Sequence, residues 1–516
     1  MPRIERPSDF TVNWSQAVVQ QRRQQLADFE RRWKDLRPTA SSPIPVQVDY
    51  RLIGSALARV RWELDIEQGW RRNPKFYVDQ TLGAMYVLLL PPPPFSAERQ
   101  RQIVSRIESI PATVRAAREN LTEMRQPFAL LAIDALKDLP ARLQTMQRAL
   151  APHLTGENNV ALERALAVAI PALTEYRAWL ESRLPAMPKE TAIGREKYLF
   201  FLRNVALLPY SPEDLLTMSR LELSRSFAFE SYERNRNAEL PPLPLFPTEA
   251  AQVTQEAVDE EHIRGFLTKQ HLLTVPSWMK HYRNLPLPDY LAPLEDLGVT
   301  DDLTGPSRLD QDGTSYIRVP SPNLGFFYLS TAQDPRPIVV HEGVPGHYFQ
   351  LTLGWSHPDP IRRHYYDSGA NEGIGFYAEE MMLQAGLFDN KPRTREIIYS
   401  FMRLRALRVE VDVKLALGLF TLQQGADYLA ETVPMDRTSA LGEAALFAST
   451  PGQAISYQIG KLQIMQLLAD ARRSQGSKFS LLNFNDFVWT NGNVPIALQR
   501  WEMLGDEHEF PSLIAH

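Results

Sequence analysis

The residues from His341 to His347, which read His-Glu-Gly-Val-Pro-Gly-His, place two imidazoles and a carboxylate close together. Imidazole and carboxylate groups are zinc ligands, and a catalytic zinc site keeps one position open for water. On a regular helix, histidines four residues apart share one face, but a spacing of six turns the second about 240° around the axis. Pro345 and Gly346 both disrupt a regular helix. The spacing therefore predicts a bulge or break between Glu342 and His347, and with it a metal site.

A later segment offers a third ligand. Glu372 lies at the start of a predicted helix, where Asn371 can cap the helix or hydrogen-bond a ligand. Glu379 is two turns further on, near the same face, and can orient a histidine. The alternative is that the two histidines are core or helix-terminal residues satisfied by the backbone, and that Glu372 is an exposed acid at a helix N-terminus.

Most of the chain carries apolar residues at three- and four-residue spacing, which predicts helices. Ser211 before Pro212 marks one clear helix start, because serine caps a helix and proline suits its first position. The later predicted helices include residues 393–423 and 456–473. We expect a mainly α protein with a large multi-helix fold.

One strand is predicted at residues 325–330, an aromatic run between turn-forming residues, with Ser315-Tyr316 and Arg318-Val319 as partners. This places a small β-sheet beside the metal segment. The proline-rich stretch 241–247 predicts a boundary between an N-terminal helical lobe, residues 1–240, and a C-terminal lobe with the metal site, residues 241–516. We expect the two lobes to form one continuous globular unit.

Composition limits the partners. The chain has 516 residues, 44% hydrophobic and 23% charged, with a net charge of −5 and a pI near 6.1, which gives no basic surface for nucleic acid or an anionic membrane. The lack of cysteine excludes disulfides and thiolate chemistry. Because no secretory signal or membrane-spanning apolar run is present, we expect a cytoplasmic location. Composition leaves the oligomeric state open.

Three segments carry a family resemblance: HEGVPGHYFQ from His341, NEGIGFYAEEMMLQAGLF from Asn371 and TPGQAISYQIGKLQI from Thr450. They resemble the bacterial domain of unknown function 885 family, which is regarded as related to the gluzincin metallopeptidases. The resemblance covers most of the chain and is most specific within residues 337–464. It implies a gluzincin-like helical fold with a deep cleft, a zinc ion, and hydrolysis of a peptide or small amide.

By this resemblance His341, His347 and Glu372 are the zinc ligands and Glu342 is the general base. Zinc lowers the pKa of its water to near 7, and a glutamate beside it accepts the proton as water attacks a carbonyl. Fe²⁺ and Mn²⁺ suit the same donors. A peptide or another small molecule is the expected substrate.

Further candidates surround this centre. Tyr457 is the candidate donor to the oxyanion, with a partly buried core tyrosine as the alternative. Gln453, one helical turn earlier, would face the same side and bind a substrate backbone. Phe327 and Tyr328 lie on the predicted strand, whose open edge would pair with an extended peptide.

Three positions depart from the family's pattern. Ala416 stands where a histidine follows the Val-Asp pair, Leu446-Phe447 where Arg-Tyr precedes the Pro-Gly-Gln-Ala segment, and Asn485 where a Phe-His-Asp segment carries histidine. An arginine on the helix with Arg403, Arg405 and Arg408 could bind a substrate carboxylate, although a solvated helix face is the expectation.

The departures leave two alternatives to hydrolysis. The metal could support lyase or isomerase chemistry on a small biosynthetic intermediate, with Glu342 abstracting a carbon-bound proton. The chain could instead be an inactive descendant that only binds a ligand. The acid at Glu342 argues against that alternative, because binding alone does not require it.

Overall fold

The computed structural model describes residues 10–433 and 435–509. Within these ranges the chain is mainly α-helical with one three-stranded sheet, as the sequence predicts. The first nine residues, on which part of the expectation about a secretory signal rests, lie outside the described residues. None of the described helices is long and apolar enough to cross a membrane.

The first half of the chain is built from short and medium helices, several of which start with proline in the first turn. They are α1 (Gln16–Asp35), α2 (Ile44–Arg61), α3 (Gly69–Arg72), α4 (Pro74–Val78), α5 (Ala84–Leu89), α6 (Ala97–Glu108), α7 (Ile110–Asn120), α8 (Gln126–Ala135), α9 (Leu139–Leu150), α10 (Gly156–Arg183) and α11 (Arg195–Phe200). Wider π-helical turns lie at Trp62–Ile66, Asp79–Gly83 and Phe201–Val205.

The second half carries the longer helices around the candidate site. They are α12 (Pro212–Arg236), α13 (Glu249–Lys269), α14 (Phe326–Gln333), α15 (Arg336–Ile338), α16 (His347–Trp355), α17 (Pro360–His364), α18 (Ser368–Ala385), α19 (Arg393–Leu417), α20 (Leu422–Thr432), α21 (Arg437–Ser449), α22 (Ser456–Gln475), α23 (Leu481–Thr490) and α24 (Ile496–Leu504). The predicted cap of α12 is confirmed, because the Ser211 hydroxyl accepts from the Asp214 N–H at 3.1 Å. The predicted helices at 393–423 and 456–473 are confirmed as α19 and α22, although α19 ends before Gly418.

The sheet consists of β1 (Tyr282–Pro286), β2 (Asp301–Asp302) and β3 (Gly313–Ile317), in the order β1-β3-β2. β1 runs parallel to β3, and β2 runs antiparallel to it. The Tyr282 ring packs directly on Gly343, where an added Cβ would lie 2.5 Å from a ring carbon. A small sheet therefore lies beside residues 341–347, as predicted, but of its predicted strand residues only Ser315 and Tyr316 belong to it.

The predicted strand at residues 325–330 is wrong, because this segment forms the helix α14. The Ser330 and Thr331 hydroxyls donate to the Phe326 and Phe327 carbonyls four residues earlier, at 2.9 and 3.0 Å, as on a helix. The segment is half-buried on successive residues. A short apolar run is compatible with the period of a helix and with that of a strand. Its aromatic content alone led to the wrong prediction.

The two predicted lobes share a buried boundary. The proline-rich stretch 241–247 is the connection between α12 and α13. On the buried side of α12, the Ser219 hydroxyl donates to the Ala406 carbonyl of α19 at 2.7 Å, and Glu230 forms an ion pair with Arg403. The division at residue 240 stays a prediction. Contacts between α12 and α19 join residues on its two sides in one buried region.

The close packing of α18 and α22 generates the first prediction. A Cβ at Gly460 would lie 2.1 Å from the Gly369 carbonyl oxygen, a backbone atom that cannot move aside. We expect Gly460→Ala to lower the free energy of unfolding by about 1–3 kcal/mol, as overpacking does. Denaturant unfolding followed by circular dichroism measures this change.

The matched control is Gly442→Ala on α21, where an added Cβ meets nothing within 4 Å. That substitution should leave stability unchanged or raise it by about 0.5–1 kcal/mol, because alanine favours a helix more than glycine. Equal effects of the two substitutions would contradict the close approach of α18 and α22.

Candidate metal centre

The chain breaks its helix between the two histidines, which confirms the prediction from their spacing. After α15 a π-helical turn covers Val339–Gly343, closed by a hydrogen bond from the Val344 N–H to the Val339 carbonyl at 2.9 Å. A cis peptide joins Val344 to Pro345, and α16 begins at His347. The Trp489 indole holds the reversal by donating to the Pro345 carbonyl at 2.6 Å.

Glycine is required at the tightest point of this reversal. A Cβ at Gly346 would lie 1.8 Å from the carbonyl oxygen of His341. The reversal brings the rings of His341 and His347 to a centroid distance of 4.7 Å, at an interplanar angle of 76°. A wide turn and a sharp reversal therefore bring the two imidazoles together, which do not share one face of a helix.

Glu372 on α18 completes a group of three donors. Its Oε2 lies 3.0 Å from Nε2 of His347 and 3.7 Å from Nε2 of His341. Ligands bound to tetrahedral zinc at about 2.0–2.1 Å stand about 3.4 Å from one another. The spacing of these donors is compatible with a single ion among them.

The neighbouring glycine of α18 leaves room for both rings. A Cβ at Gly375 would lie 3.1 Å from Cε1 of His341 and 3.1 Å from Cε1 of His347. Such contacts are tighter than ordinary van der Waals packing, so any larger side chain would displace the imidazoles.

Asn371 does not cap α18 as predicted. The helix begins three residues earlier, and the Asp367 carboxylate caps it by accepting from the Ala370 N–H at 2.8 Å. The Asn371 amide donates to Gln350 at 2.9 Å, and its oxygen accepts from the Tyr366 hydroxyl at 3.3 Å. Within the described part of the chain, the Asn371 side chain thus bonds to Gln350 and Tyr366 and not to a candidate ligand.

Glu379 lies where the sequence suggested, behind His341. Its Oε1 is 2.7 Å from Nδ1 of His341, and Arg405 of α19 approaches the same oxygen at 2.8 Å. The side chain of Arg405 is 3% exposed. A carboxylate on the far nitrogen of a ligating histidine fixes its tautomer and ring orientation. The sequence analysis did not predict that Arg405 pairs with Glu379, although charged residues spaced among the apolar residues of α19 were a signal of buried pairs.

The charges at this group favour a cation. Burial alone would lower the pKa of His341, but contacts with Glu372 and Glu379 raise it to about 9. Burial alone would raise the pKa of Glu372, but the two imidazoles hold it well below its usual range. Nδ1 of His347 is buried without a hydrogen-bond partner among the described residues. The donor set of two imidazoles and a carboxylate fits zinc.

Glu342 lies at the open side of the group. Its Oε1 is 4.0 Å from Nε2 of His341, and its side chain is 30% exposed, against 3% for His341. The carboxylate is therefore accessible to solvent while the imidazole beside it is not. This is the placement that a base acting on a water molecule needs.

Tyr457 is on the first turn of α22 and lies against the centre. Its ring is nearly parallel to that of His341, at 12° with centroids 6.2 Å apart, and Arg408 covers the ring at 4.7 Å. Burial raises the pKa of Tyr457 well above 10, so its hydroxyl remains a donor at neutral pH. The ring also packs on core residues, as the alternative interpretation expected.

Gln453 is not on the same helix as Tyr457, contrary to the prediction, because α22 begins at Ser456. It lies in the preceding turn, where its amide donates to the Ser368 hydroxyl at 2.5 Å. Asp412 anchors this turn by accepting from the N–H groups of Gly452 at 2.9 Å and Ala454 at 3.0 Å. The Val-Asp pair thus holds the Pro-Gly-Gln-Ala segment in place.

The two aromatic candidates of α14 separate. Phe327 packs on Phe401, and Arg408 lies 5.7 Å from its ring centre, so it shares an arginine with Tyr457. Tyr328 instead lies under Arg318, 4.0 Å from its ring centre, towards the sheet. Neither residue is on a strand, so pairing with an extended peptide at this segment is excluded.

The three departures from the family's pattern lie in packed surroundings. Ala416 is buried, and its carbonyl accepts from the N–H groups of Ile193 and Gly194. Phe447 is buried near Arg408, at 5.9 Å. Asn485 is fully buried and donates to the Leu272 carbonyl at 2.7 Å. Each replacement is accommodated by the core around it.

The expectation of a solvated face for the three arginines of α19 is wrong. Each is at least nine-tenths buried and pairs with a carboxylate from another part of the chain. The pairs are Arg403 with Glu230, Arg405 with Glu379 and Arg408 with Glu443. Burial of a charge requires such a partner.

Among the described residues, the donor atoms of His341, Glu342 and His347 lie within 4.8 Å of one another, and a second such group consists of Glu260, Glu261 and His281. It is less suited to a metal, because Glu260 already pairs with Arg264 at 2.6 Å and accepts from the Tyr282 N–H at 3.2 Å. Glu261 is exposed. The group at His341 is therefore the stronger candidate in the described ranges.

These contacts define a mainly α protein with a buried His-His-Glu group and an acid at its open side. The chain belongs to the family of bacterial proteins of unknown function called DUF885, whose profile matches residues 5–228 and 276–503. The unmatched interval holds the end of α12, the proline-rich connection and α13. No curated protein matches the chain.

Two solved structures share the fold. One is named a "putative lipoprotein of unknown function" from Shewanella oneidensis, with a TM-score of 0.72 at 18% identity, over 96% of this chain and 94% of that chain. The other is named a "putative lipoprotein" from Colwellia psychrerythraea, with a TM-score of 0.77 at 17% identity, over 96% of this chain and 92% of that chain. At these identities the likeness shows the fold alone.

The pair behind His341 generates the second prediction. We expect Arg405→Met to weaken zinc affinity about 10–100-fold, because Glu379 would lose the cation that holds it against the imidazole. Competition with a chromophoric chelator measures this affinity without any substrate.

Arg403→Met is the matched control, since Arg403 is buried on the same helix but pairs with Glu230, outside the metal group. Its zinc affinity should remain that of the unsubstituted protein. Unchanged affinity in Arg405→Met, or an equal loss in both variants, would contradict a positioning role.

Proposed function

We propose that this protein is a metal-dependent hydrolase, with zinc as its metal, that cleaves a peptide or small amide bond. The observation that carries the proposal is the convergence of Nε2 of His341, Nε2 of His347 and Oε2 of Glu372, with the exposed acid Glu342 beside them. Two histidines and a glutamate are also the donor set of gluzincin metallopeptidases, and we propose that this protein is related to them. Fe²⁺ and Mn²⁺ fit the same donors.

His341, His347 and Glu372 would hold the ion, which when bound supplies a Lewis acid and an acidified water. The Glu342 carboxylate accepts the proton of the attacking water, for which its exposed position is suited. Tyr457 donates its hydroxyl proton in a hydrogen bond to the developing oxyanion, with Arg408 and Glu443 fixing its ring. Glu379 and Arg405 keep His341 in one orientation.

The neighbours of Tyr328 and Gln453 bear on the class of substrate. Tyr328 is directed towards the sheet and Gln453 is bound to Ser368, so neither supports recognition of an extended peptide strand. A short peptide or small amide is favoured for this reason. The cytoplasmic location stays a prediction. A location in the cell envelope competes with it, because the two proteins of the same fold carry lipoprotein names.

The third prediction concerns metal content. We expect about one zinc ion per chain in protein purified without added metal, and loss of that zinc in the double variant His341→Ala, His347→Ala. Inductively coupled plasma mass spectrometry measures the stoichiometry.

Two controls make the result specific. The double variant His262→Ala, His364→Ala removes two exposed histidines and should keep the zinc. The single variant His281→Ala removes the second possible group and should keep it as well. Unchanged zinc content after substitution of His341 and His347 would overturn the site.

The fourth prediction concerns the base. Glu342→Gln should keep the metal and lower turnover about 10²–10⁴-fold, because the amide cannot accept the proton. Activity is measured with a panel of short peptides and acyl amides, and the products are weighed by mass spectrometry.

Hydrolysis adds the mass of one water molecule to the sum of the products. Products without that added mass would show elimination or isomerisation, the alternative chemistry for the same metal group. Retained turnover in Glu342→Gln would remove Glu342 as the base, whichever reaction is found.

A further inference from the structure

A cavity of about 840 Å³ lies between α1, α2 and the π-helical turn that follows α11, with Leu498 of α24 at one side. Its volume is within the range of small-molecule sites, about 300–1,000 Å³. None of the residues that line it belongs to the candidate metal centre. The cavity is therefore a separate feature, and a ligand bound in it would be independent of the proposed hydrolase function.

The charged side chains that line the cavity are almost all positive. One carboxylate, Glu30, accompanies five cations, which are Lys34, Arg37, Arg51, Arg61 and Arg203. Glu30 is already paired with Arg61, whose Nε donates to it at 2.9 Å. No ion pair joins Lys34, Arg37 or Arg203 to a carboxylate in the described part of the chain. Five cations around one cavity stand out in a chain whose net charge is −5.

Arg51 is the cation most affected by this arrangement. Burial lowers its pKa, the nearby carboxylate of Glu507 opposes this shift, and the smaller repulsion from Arg37 adds to it. A bound anion would offset both the loss of water and the repulsion between the two guanidinium groups. The lining of the cavity therefore presents an excess of positive charge to a ligand.

The walls between these cations are aromatic and apolar. Trp33 and Tyr50 stack with ring centroids 4.7 Å apart at 17°, and the Trp33 indole donates to the Tyr50 carbonyl at 2.9 Å. Leu207 and Leu498 contribute buried side chains to the lining. A ligand that fills this space has an apolar body as well as a negative head group.

The backbone on one side of the cavity is irregular in two places. The π-helical turn Phe201–Val205 carries Arg203 and Asn204 into the lining. Leu207 has a φ of 51°, a left-handed conformation that is costly for a leucine. This conformation ends the turn, and the Leu208 N–H donates to the Leu202 carbonyl at 2.7 Å.

We propose that this cavity binds a soluble organic anion, with a carboxylate or phosphate head group on an apolar body. The head group is held by Arg37, Arg51 and Arg203, and the body lies on the wall formed by Trp33 and Tyr50. The cations require a negative head group and the aromatic wall requires an apolar body. Inorganic phosphate lacks the apolar body, and an uncharged apolar molecule lacks the head group.

Isothermal titration calorimetry with the full chain tests this proposal. The probes are octyl phosphate and octanoate below their critical micelle concentrations, inorganic phosphate, and octyltrimethylammonium. We expect both octyl anions to bind at least about tenfold more tightly than inorganic phosphate, and the ammonium not to bind. Equal binding of octyl phosphate and inorganic phosphate would overturn the proposal, as would the absence of binding by both octyl anions.

The double variant Arg37→Gln, Arg203→Gln should weaken octyl phosphate binding at least about tenfold. The matched control is Arg31→Gln, Arg32→Gln on α1, since these exposed arginines do not line the cavity although other residues of that helix do. Circular dichroism verifies that all variants fold. Retained affinity in the first variant, or equal loss in the control, would place the binding elsewhere and contradict the proposal.

Discussion

The turn from Val339 to His347 is the constraint on which the candidate centre depends. A π-helical turn followed by a reversal at Pro345 and Gly346 orients two imidazoles towards one point, although their spacing would separate them on a regular helix. Because a Cβ at Gly346 would collide with the His341 carbonyl, the reversal is possible only with glycine there. Trp489 fixes the reversal from a helix far along the chain.

The helices that follow this reversal hold the partners of the two imidazoles in place. α18 carries both Glu372 and Glu379, so one helix supplies a candidate ligand and the carboxylate that lies behind His341. That helix is fixed against α22 by the contact at Gly460 and by the fully buried Lys461, which pairs with Glu380 at 2.8 Å. α19 adds Arg405 from the other side. Buried charges at this centre are therefore matched across three helices, which limits how far each can move.

The parts of the site that the sequence could predict are those governed by local periodicity. The break after Glu342 follows from a six-residue spacing and from Pro345 and Gly346, and the long helices follow from apolar spacing. Glu372 and Glu379 follow from donor type and from their two-turn spacing on one helix, but the carboxylates that pair with the arginines of α19 carry no such signal. The arginines of α19 were expected in solvent because their carboxylates come from α12, α18 and α21. Likewise, the start of α18 depends on how the chain enters it, and Asp367 caps it in place of Asn371.

The aromatic content of residues 325–330 does not predict the structure that this segment adopts. Its aromatic content favours a strand, but its surroundings stabilise a helix that directs Phe327 and Tyr328 to different neighbours. Expectations about peptide binding that rested on the strand fall with it, whereas the metal group is independent of that segment. The proposed metal site thus rests on donors whose positions the fold fixes.

The central claim is that His341, His347 and Glu372 share one metal ion. Crystals grown with zinc, with diffraction data on both sides of the zinc absorption edge, test this claim most directly. We expect an anomalous difference peak about 2.0–2.2 Å from Nε2 of His341, Nε2 of His347 and a carboxylate oxygen of Glu372. A structure with no peak among these three residues, or with zinc only beside Glu260 and His281, would contradict it.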